Sequence, residues 1–349
     1  MANRLMNIDS ALNLEANSPS FNPLYKSPKR LERPGRKPHP SQSAMEVTVD
    51  KSTRIALGFA THPDAFQCGR EAAQEAKNQL TDGPVPLVLI VGPGNVHFKD
   101  FIEGARLVLG EEGLVAIPTD RAFSNETTLT GACFVAALQT SGIRVSIAAD
   151  DVYNNNILRS TTALVSQFRR MRGNAAREFG HRGCLVFSHQ LAEENRELPS
   201  TLAADMGLES WMVGAATAAE RGSGLVCSNK TIQHGLVGVE FLSSVPWGVG
   251  SVAIDSFMTQ AEVYREALKT AVRDALGQLQ SNPACFGLVL FDLSNESQPP
   301  LPYDILNSAS TILPHVPLLG LSTTHNFVRR PQRAVPKEND SILVLLVPA

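Results

Sequence analysis

Three times along this chain, an apolar run leads through a helix-like segment to a second apolar run, then through a polar turn to a third. The clearest copy runs from Gly183 to Val252. It carries CLVFS (Cys184 to Ser188), a helical segment breaking near Gly207, WMVGAAT (Trp211 to Thr217), the turn ERGSG (Glu220 to Gly224) and the hairpin-like GLVGVEFLSS ending at Ser244. An earlier copy has LVLIV (Leu87 to Val91), LVAIPT (Leu114 to Thr119) and GACFVAALQTSG (Gly131 to Gly142). A later one has GLVLF (Gly287 to Phe291), PLLGLST (Pro317 to Thr323) and SILVLLVP (Ser341 to Pro348). A threonine closes the second apolar run each time: Thr119, Thr217 and Thr323. Order and pattern recur with low residue identity, which points to a duplicated β-α-β-β unit.

Runs such as Leu87 to Val91 do not alternate apolar with polar, so they predict strands buried on both faces. RIALGFA (Arg54 to Ala60) predicts a strand, and Pro63 suits the first turn of a helix reaching about Leu80. Ala65, Ala72, Ala73 and Ala76 give that helix a small-residue face suited to lying close on a sheet. Further helices are predicted over Val96 to Leu109, about Leu158 to Phe179, Glu193 to Met206 with Gly207 as a left-handed cap, and Thr259 to Gln280. Thr259 and Glu262 form a capping box at the start of the last. The expected fold is α/β: duplicated β-α-β-β units forming mixed sheets covered by helices, in two packed domains. The expected divisions are a polar tail over 1–52, a domain of two units over 53–252 and a shorter one over 253–349.

Composition changes this picture mainly at the N-terminus. The net charge is -3, with 43% hydrophobic and 19% charged residues, ordinary for a globular protein and no argument for nucleic acid. Residues 1–50 have six prolines, and KSPKRLERPGRKPHP within them has six Lys/Arg against one Glu. Such a segment buries too little apolar area to offset chain entropy, so disorder is expected; its basic part over 26–37 suits a solvated tail or a nuclear address. The Arg-bearing helix near 158–179 is expected to present Arg159, Arg169, Arg170, Arg172 and Arg177 to solvent. The five cysteines are far apart and without a CxxC, which suggests reduced thiols in a cytoplasmic protein. No run approaches the ~18 apolar residues of a membrane span, and no secretory signal opens the chain.

No catalytic signature is complete: GxSxG, GxxxxGK[ST] and HExxH are all missing. Gly92-Pro93-Gly94 lacks the spacing that lets successive amides face a phosphate. His181, Cys184 and His189 are close in sequence, but Cys184 and His189 flank a buried strand and share no face, so no metal is expected. In open α/β sheets ligands gather where strands end, which directs attention to Thr217-Ala218-Ala219-Glu220, Thr119-Asp120-Arg121 and Thr323-Thr324-His325-Asn326. There hydroxyls, a carboxylate and backbone amides could hold a small zwitterion, or the threonines could simply cap turns.

Between Arg54 and Pro348 the chain resembles the FIST family (F-box and intracellular signal transduction), in both its N-terminal and C-terminal parts. The family's G-x-x-T-x-G-E turn is matched by Gly214 to Glu220, and GFATHPDAFQCGREAAQEA followed by LVLIV looks like its start. The first copy, Ala116 to Ala122, lacks both the leading Gly and the final Glu. In the third, Asn326 stands where Glu is usual, and Asp292-Leu293-Ser294-Asn295 replaces the family's Cys and Arg. The resemblance implies a non-catalytic sensory or adaptor module that binds amino acids or similar small polar ligands and signals through a partner protein. The ligand would meet Gly214, Thr217, Glu220, Thr119, Thr323, Asn326 and Asp292. Some relatives bind haem and respond to nitric oxide; no histidine here matches an axial position, so no cofactor is expected. The alternatives are a scaffold with a degenerate pocket, holding its partner through the basic segments, and an enzyme using Asp292, Glu220 and His325.

Overall fold

The computed structural model describes residues 53–94, 97–126, 132–151, 156–189, 198–217, 223–254, 260–292, 302–333, 337–338 and 341–349. The tail over 1–52, Glu220 and the Thr259 half of the capping box lie outside them. The elements begin with β1 (Arg54–Ala60), α1 (Ala65–Gln79), β2 (Leu87–Pro93), α2 (Phe98–Leu109), β3 (Leu114–Thr119), β4 (Ala122–Ser124) and β5 (Cys133–Gln139). They continue through β6 (Ile143–Asp151), α3 (Ile157–Arg172), β7 (His181–His189), α4 (Leu198–Met206), β8 (Ser210–Thr217), β9 (Leu225–Cys227), β10 (Lys230–Ile232) and β11 (Gly235–Ser243). The last are β12 (Gly248–Val252), α5 (Ala261–Gln278), β13 (Ala284–Asp292), α6 (Pro302–Ser308), β14 (Leu318–Arg329), β15 (Lys337–Glu338) and β16 (Ile342–Pro348).

The strand pairing exposes the duplication. One sheet has the order β1-β5-β2-β3-β9-β10; the other has β12-β16-β13-β14-β8-β7-β11-β6, with β4 and β15 added on β14. Both contain the same four-strand arrangement, once in the first sheet and twice in the second. A parallel pair (β2 with β3, β7 with β8, β13 with β14) is joined by a returning antiparallel strand (β5, β11, β16) and then by the strand that opened the unit (β1, β6, β12). The α/β fold of duplicated units in mixed, helix-covered sheets is therefore as the pattern predicts. The unit is longer than expected, because each copy also owns a leading strand and helix: β1 and α1, β6 and α3, β12 and α5. These leading strands lack a signature in common. β6 alternates between buried and partly exposed positions, whereas β12 is the short, glycine-bearing GVGSV.

Alternation along the strands divides the apolar residues between layers. One face of both sheets meets in a shared core that includes Val115, Ile117, Leu185, Phe187, Val213, Ala215, Leu288, Leu290, Leu319 and Leu321. The opposite faces lie under α1 and α2, under α3 and α4, and under α5 and α6. The small face of α1 does what its alanines predict: Ala72, Ala73 and Ala76 are fully buried on the first sheet. That helix begins at Ala65, after Pro63, with the Asp64 carboxylate accepting the Gln67 N–H at 2.9 Å. The described residues from 53 to 349 belong to one compact unit, and the second sheet takes strands from both sides of residue 253. Among the described residues no helix is long and apolar enough to cross a membrane.

Candidate functional site

The three threonines that close the second apolar runs meet in space. Thr323 of β14 stands opposite Thr217 of β8 in the antiparallel register. Thr119, from the other sheet, donates through Oγ1 to the Ser322 carbonyl at 2.7 Å. Each threonine also has a register partner at the end of the parallel strand beside it. Pro93 stands opposite Thr119 and Asp292 opposite Thr323; Ser188 pairs with Ala216, so the next pair is His189 with Thr217. The duplication has thus kept the threonine and varied its neighbour, with an inert ring in one unit, an imidazole in the second and a carboxylate in the third. By strand alternation all of these residues lie on the face that forms the inter-sheet core, at its polar end.

Hydrogen bonding distinguishes the three hydroxyls. Thr119 Oγ1 also lies 3.1 Å from the Arg121 carbonyl and accepts the Arg121 N–H at 3.3 Å, so it ties β3 to the other sheet. Thr323 Oγ1 lies 3.1 Å from the Phe291 carbonyl and 2.8 Å from Asn326 Oδ1. Asn326 reaches that position through a bulge in β14 between Thr324 and Phe327, where His325 takes a left-handed φ of 48°. An inserted residue of this kind re-aims the side chain beside it. The bulge leaves His325 exposed and Asn326 buried. Both of these threonines are held by carbonyl groups of the fold. Thr217 differs, because its Oγ1 is 2.8 Å from His189 Nδ1.

His189 is fully buried, and its Nε2 has no hydrogen-bond partner among the described residues. Burial, aided by the nearby His234, pushes its pKa down to about 4, so the ring is neutral at pH 7. An unfolded histidine titrates near 6.5, so the unfolded chain binds the extra proton first. Stability is then greatest above pH 6.5, falls as pH drops toward 4, and levels off below it. The loss is on the order of 3 kcal/mol. Comparison of urea midpoints at pH 7 and pH 4.5 is expected to show this acid sensitivity diminished in His189→Asn, and equal sensitivity in both proteins would contradict it.

Of the residues expected from the sequence to bind a ligand, Thr119, Thr217, Thr323 and Asn326 come together, and Asp292 joins the same row from β13. Gly214 does not. It lies inside β8 on the helix-covered face, where a Cβ would sit 2.2 Å from the Phe327 ring and 2.8 Å from the Val186 carbonyl. That glycine is there for packing. Glu220 lies outside the described residues, and the exposed His325 is not the histidine of the cluster. Two signals along the chain mark the missing member, His189: it closes an apolar run, and it lies at the strand position equivalent to Asp292. Cys184 faces the helices, away from His189, and among the described residues no three potential metal ligands converge. An apolar cavity between the sheets, lined by Leu87, Leu185, Trp247 and Phe286 among others, lies toward the opposite strand ends.

No family model and no curated protein matches the sequence. Similar solved structures include a cyanuric acid hydrolase from A. caulinodans, at a TM-score of 0.43 and 10% identity over 85% of this chain and 99% of that one. A chorismatase has a TM-score of 0.43 and 8% identity over 85% and 99%. A further cyanuric acid hydrolase, described as an evolutionary innovation by structural concatenation, has 0.41 and 10% over 85% and 100%. These proteins are enzymes. The expectation of a non-catalytic sensory or adaptor module is corrected accordingly.

Proposed function

We propose that the polar end of the inter-sheet core is a catalytic site for a small polar carbonyl compound, with Thr217 as nucleophile and His189 as its general base. The supporting observation is the 2.8 Å contact between His189 Nδ1 and Thr217 Oγ1, made by a buried, neutral imidazole. In the tautomer with its proton on Nε2, Nδ1 accepts the hydroxyl hydrogen. The proton moves to Nδ1 as Oγ1 bonds to the substrate carbonyl carbon, and it then passes to the departing group as the substrate bond breaks. Water, deprotonated by the same nitrogen, releases the acyl group and restores the hydroxyl.

Asp292 stands three strands from His189, roughly 14 Å along the sheet, too far to orient the imidazole. Its place is at the other side of the threonine pair, where a carboxylate suits an N–H or cationic group of the substrate. Thr323, held by Asn326 and the Phe291 carbonyl, keeps the floor between them fixed. The five free cysteines, all in reduced form, favour a cytoplasmic setting.

A fluorophosphonate probe tests the reading without knowledge of the substrate, because it captures an activated hydroxyl. Peptide mass spectrometry is expected to find the adduct on Thr217. Labelling elsewhere, or none at Thr217, would overturn the proposal.

A further inference from the structure

Four strands stand at the ends of the two sheets: β1 and β10 in the first, β12 and β6 in the second. Such an edge presents backbone donors and acceptors to any other extended chain, and an unguarded one invites pairing with a second copy. Three of the four are the strands that open the repeated unit, and each is met by a glutamine from the helix that follows it. Leu57 of β1 donates its N–H to Gln79 Oε1 at 3.2 Å, and its carbonyl accepts from Gln79 Nε2 at 2.7 Å. Val249 of β12 makes the same pair of bonds with Gln278, at 3.3 and 2.6 Å. On β6 the Ala149 carbonyl accepts from Gln167 Nε2 at 3.1 Å. A side-chain amide carries the donor and acceptor of a peptide unit, so it can serve both outward-facing groups of one strand residue.

The strands and helices are built for this contact. Gln79 and Gln278 are the last residues of α1 and α5. Those helices come close because the edge strand beneath carries a glycine. A Cβ on Gly58 would lie 2.0 Å from the Ala72 carbonyl oxygen, and one on Gly250 1.8 Å from that of Ala271. β6 has no glycine, and there the glutamine makes one bond to Ala149 in place of two. β1 is held at a second point, where the Phe59 N–H donates to Glu75 Oε2 at 2.7 Å. The fourth edge, β10, is three residues long and bears the exposed Lys230, a short and charged strand that pairs poorly with another chain.

We infer that Gln79, Gln167 and Gln278 plug the sheet edges, each in the place of a neighbouring strand, so that copies of this chain do not join edge to edge. Duplication multiplies the hazard, because every unit opens with a strand of this kind. The same side chain answers it in all three units, although the residue beside the strand-ending threonine differs in each. A partner of this protein binds through other surfaces than these edges.

Hydrogen exchange of the full chain reads the plugs directly. The Leu57 and Val249 amides point away from their partner strands, yet they are expected to exchange at least about tenfold more slowly than in Gln79→Leu and Gln278→Leu respectively. Sedimentation velocity over a range of concentrations reads the consequence. The Gln79→Leu/Gln278→Leu variant is expected to gain mass as concentration rises, while the unaltered chain does not. Gln79→Asn keeps a polar amide but is one methylene too short to reach, and it is expected to associate as well, which removes the added leucine as the cause. Rapid exchange of Leu57 and Val249 in the unaltered chain would overturn the inference whether or not the variants fold. So would folded variants whose mass stays constant at every concentration.

Discussion

Thr217→Val is expected to abolish reaction with the probe at this position and to lower the rate with any substrate found by about 10²–10⁴-fold, while leaving the fold intact. Valine matches threonine in shape and favours a strand, so β8 keeps its pairing with β7 and β14. Only the hydroxyl 2.8 Å from His189 Nδ1 is lost. His189→Asn separates two parts of the interaction: its amide can still bond the Thr217 hydroxyl, but it cannot take a proton at neutral pH. It should therefore show a rate loss of similar size, with a smaller effect on stability above pH 6.5. Because the two residues act as one unit, the double variant should be little worse than either single one. Multiplying losses would show that they work independently, and the nucleophile-base assignment would have to be abandoned.

The second large effect is on stability. Glu240→Ala is expected to destabilise the protein by about 3–5 kcal/mol, the usual consequence of leaving buried charges without a partner. Glu240 is fully buried on β11, between Cys184 of β7 and Ser146 of β6, on the face covered by α3. Its Oε1 accepts from Arg172 Nη1 at 2.9 Å and from Arg182 Nε at 2.7 Å. Arg182 in turn donates to the Met206 carbonyl at 2.6 Å, so one carboxylate links the end of α3, the start of β7 and the end of α4. Removing it leaves two mostly buried guanidinium groups facing each other. Urea unfolding should show a lower midpoint at unchanged slope. A change under about 1 kcal/mol would mean that water reaches the arginines and replaces the carboxylate.

This triad also shows where pattern reasoning stops. Arg172 falls on a helix whose other arginines are solvated, and Glu240 is one acidic residue within GLVGVEFLSS. Neither is distinctive locally, and their sequence separation of 68 hides the pair. The expectation that Arg172 faces solvent is corrected by that contact. The candidate site was more legible. Thr119, Thr217 and Thr323 stood out because duplication repeats a position, and a repeated position in a repeated fold is brought to an equivalent place. Asn326 was found through its nearness to Thr323, although the bulge that turns it inward leaves no mark beyond the exposed His325. His189 reads from the sequence only as a residue flanking a buried strand and sharing no face with Cys184, because its importance depends on the strand beside it.

The amino-acid sequence by itself determined the class of fold, the strands of the three recurring apolar runs, most helix positions and the threefold recurrence of a strand-ending threonine. These are local properties: apolar runs, small-residue faces and turn residues act within a few positions of one another. Only the tertiary structure decided the sheet order, the full length of the repeat and the partners at its ends, Pro93, His189 and Asp292. It also decided that Gly214 packs against Phe327 and that one hydroxyl of three meets an imidazole. Register across strands is set by the packing of whole faces, and that packing involves residues far apart in the chain.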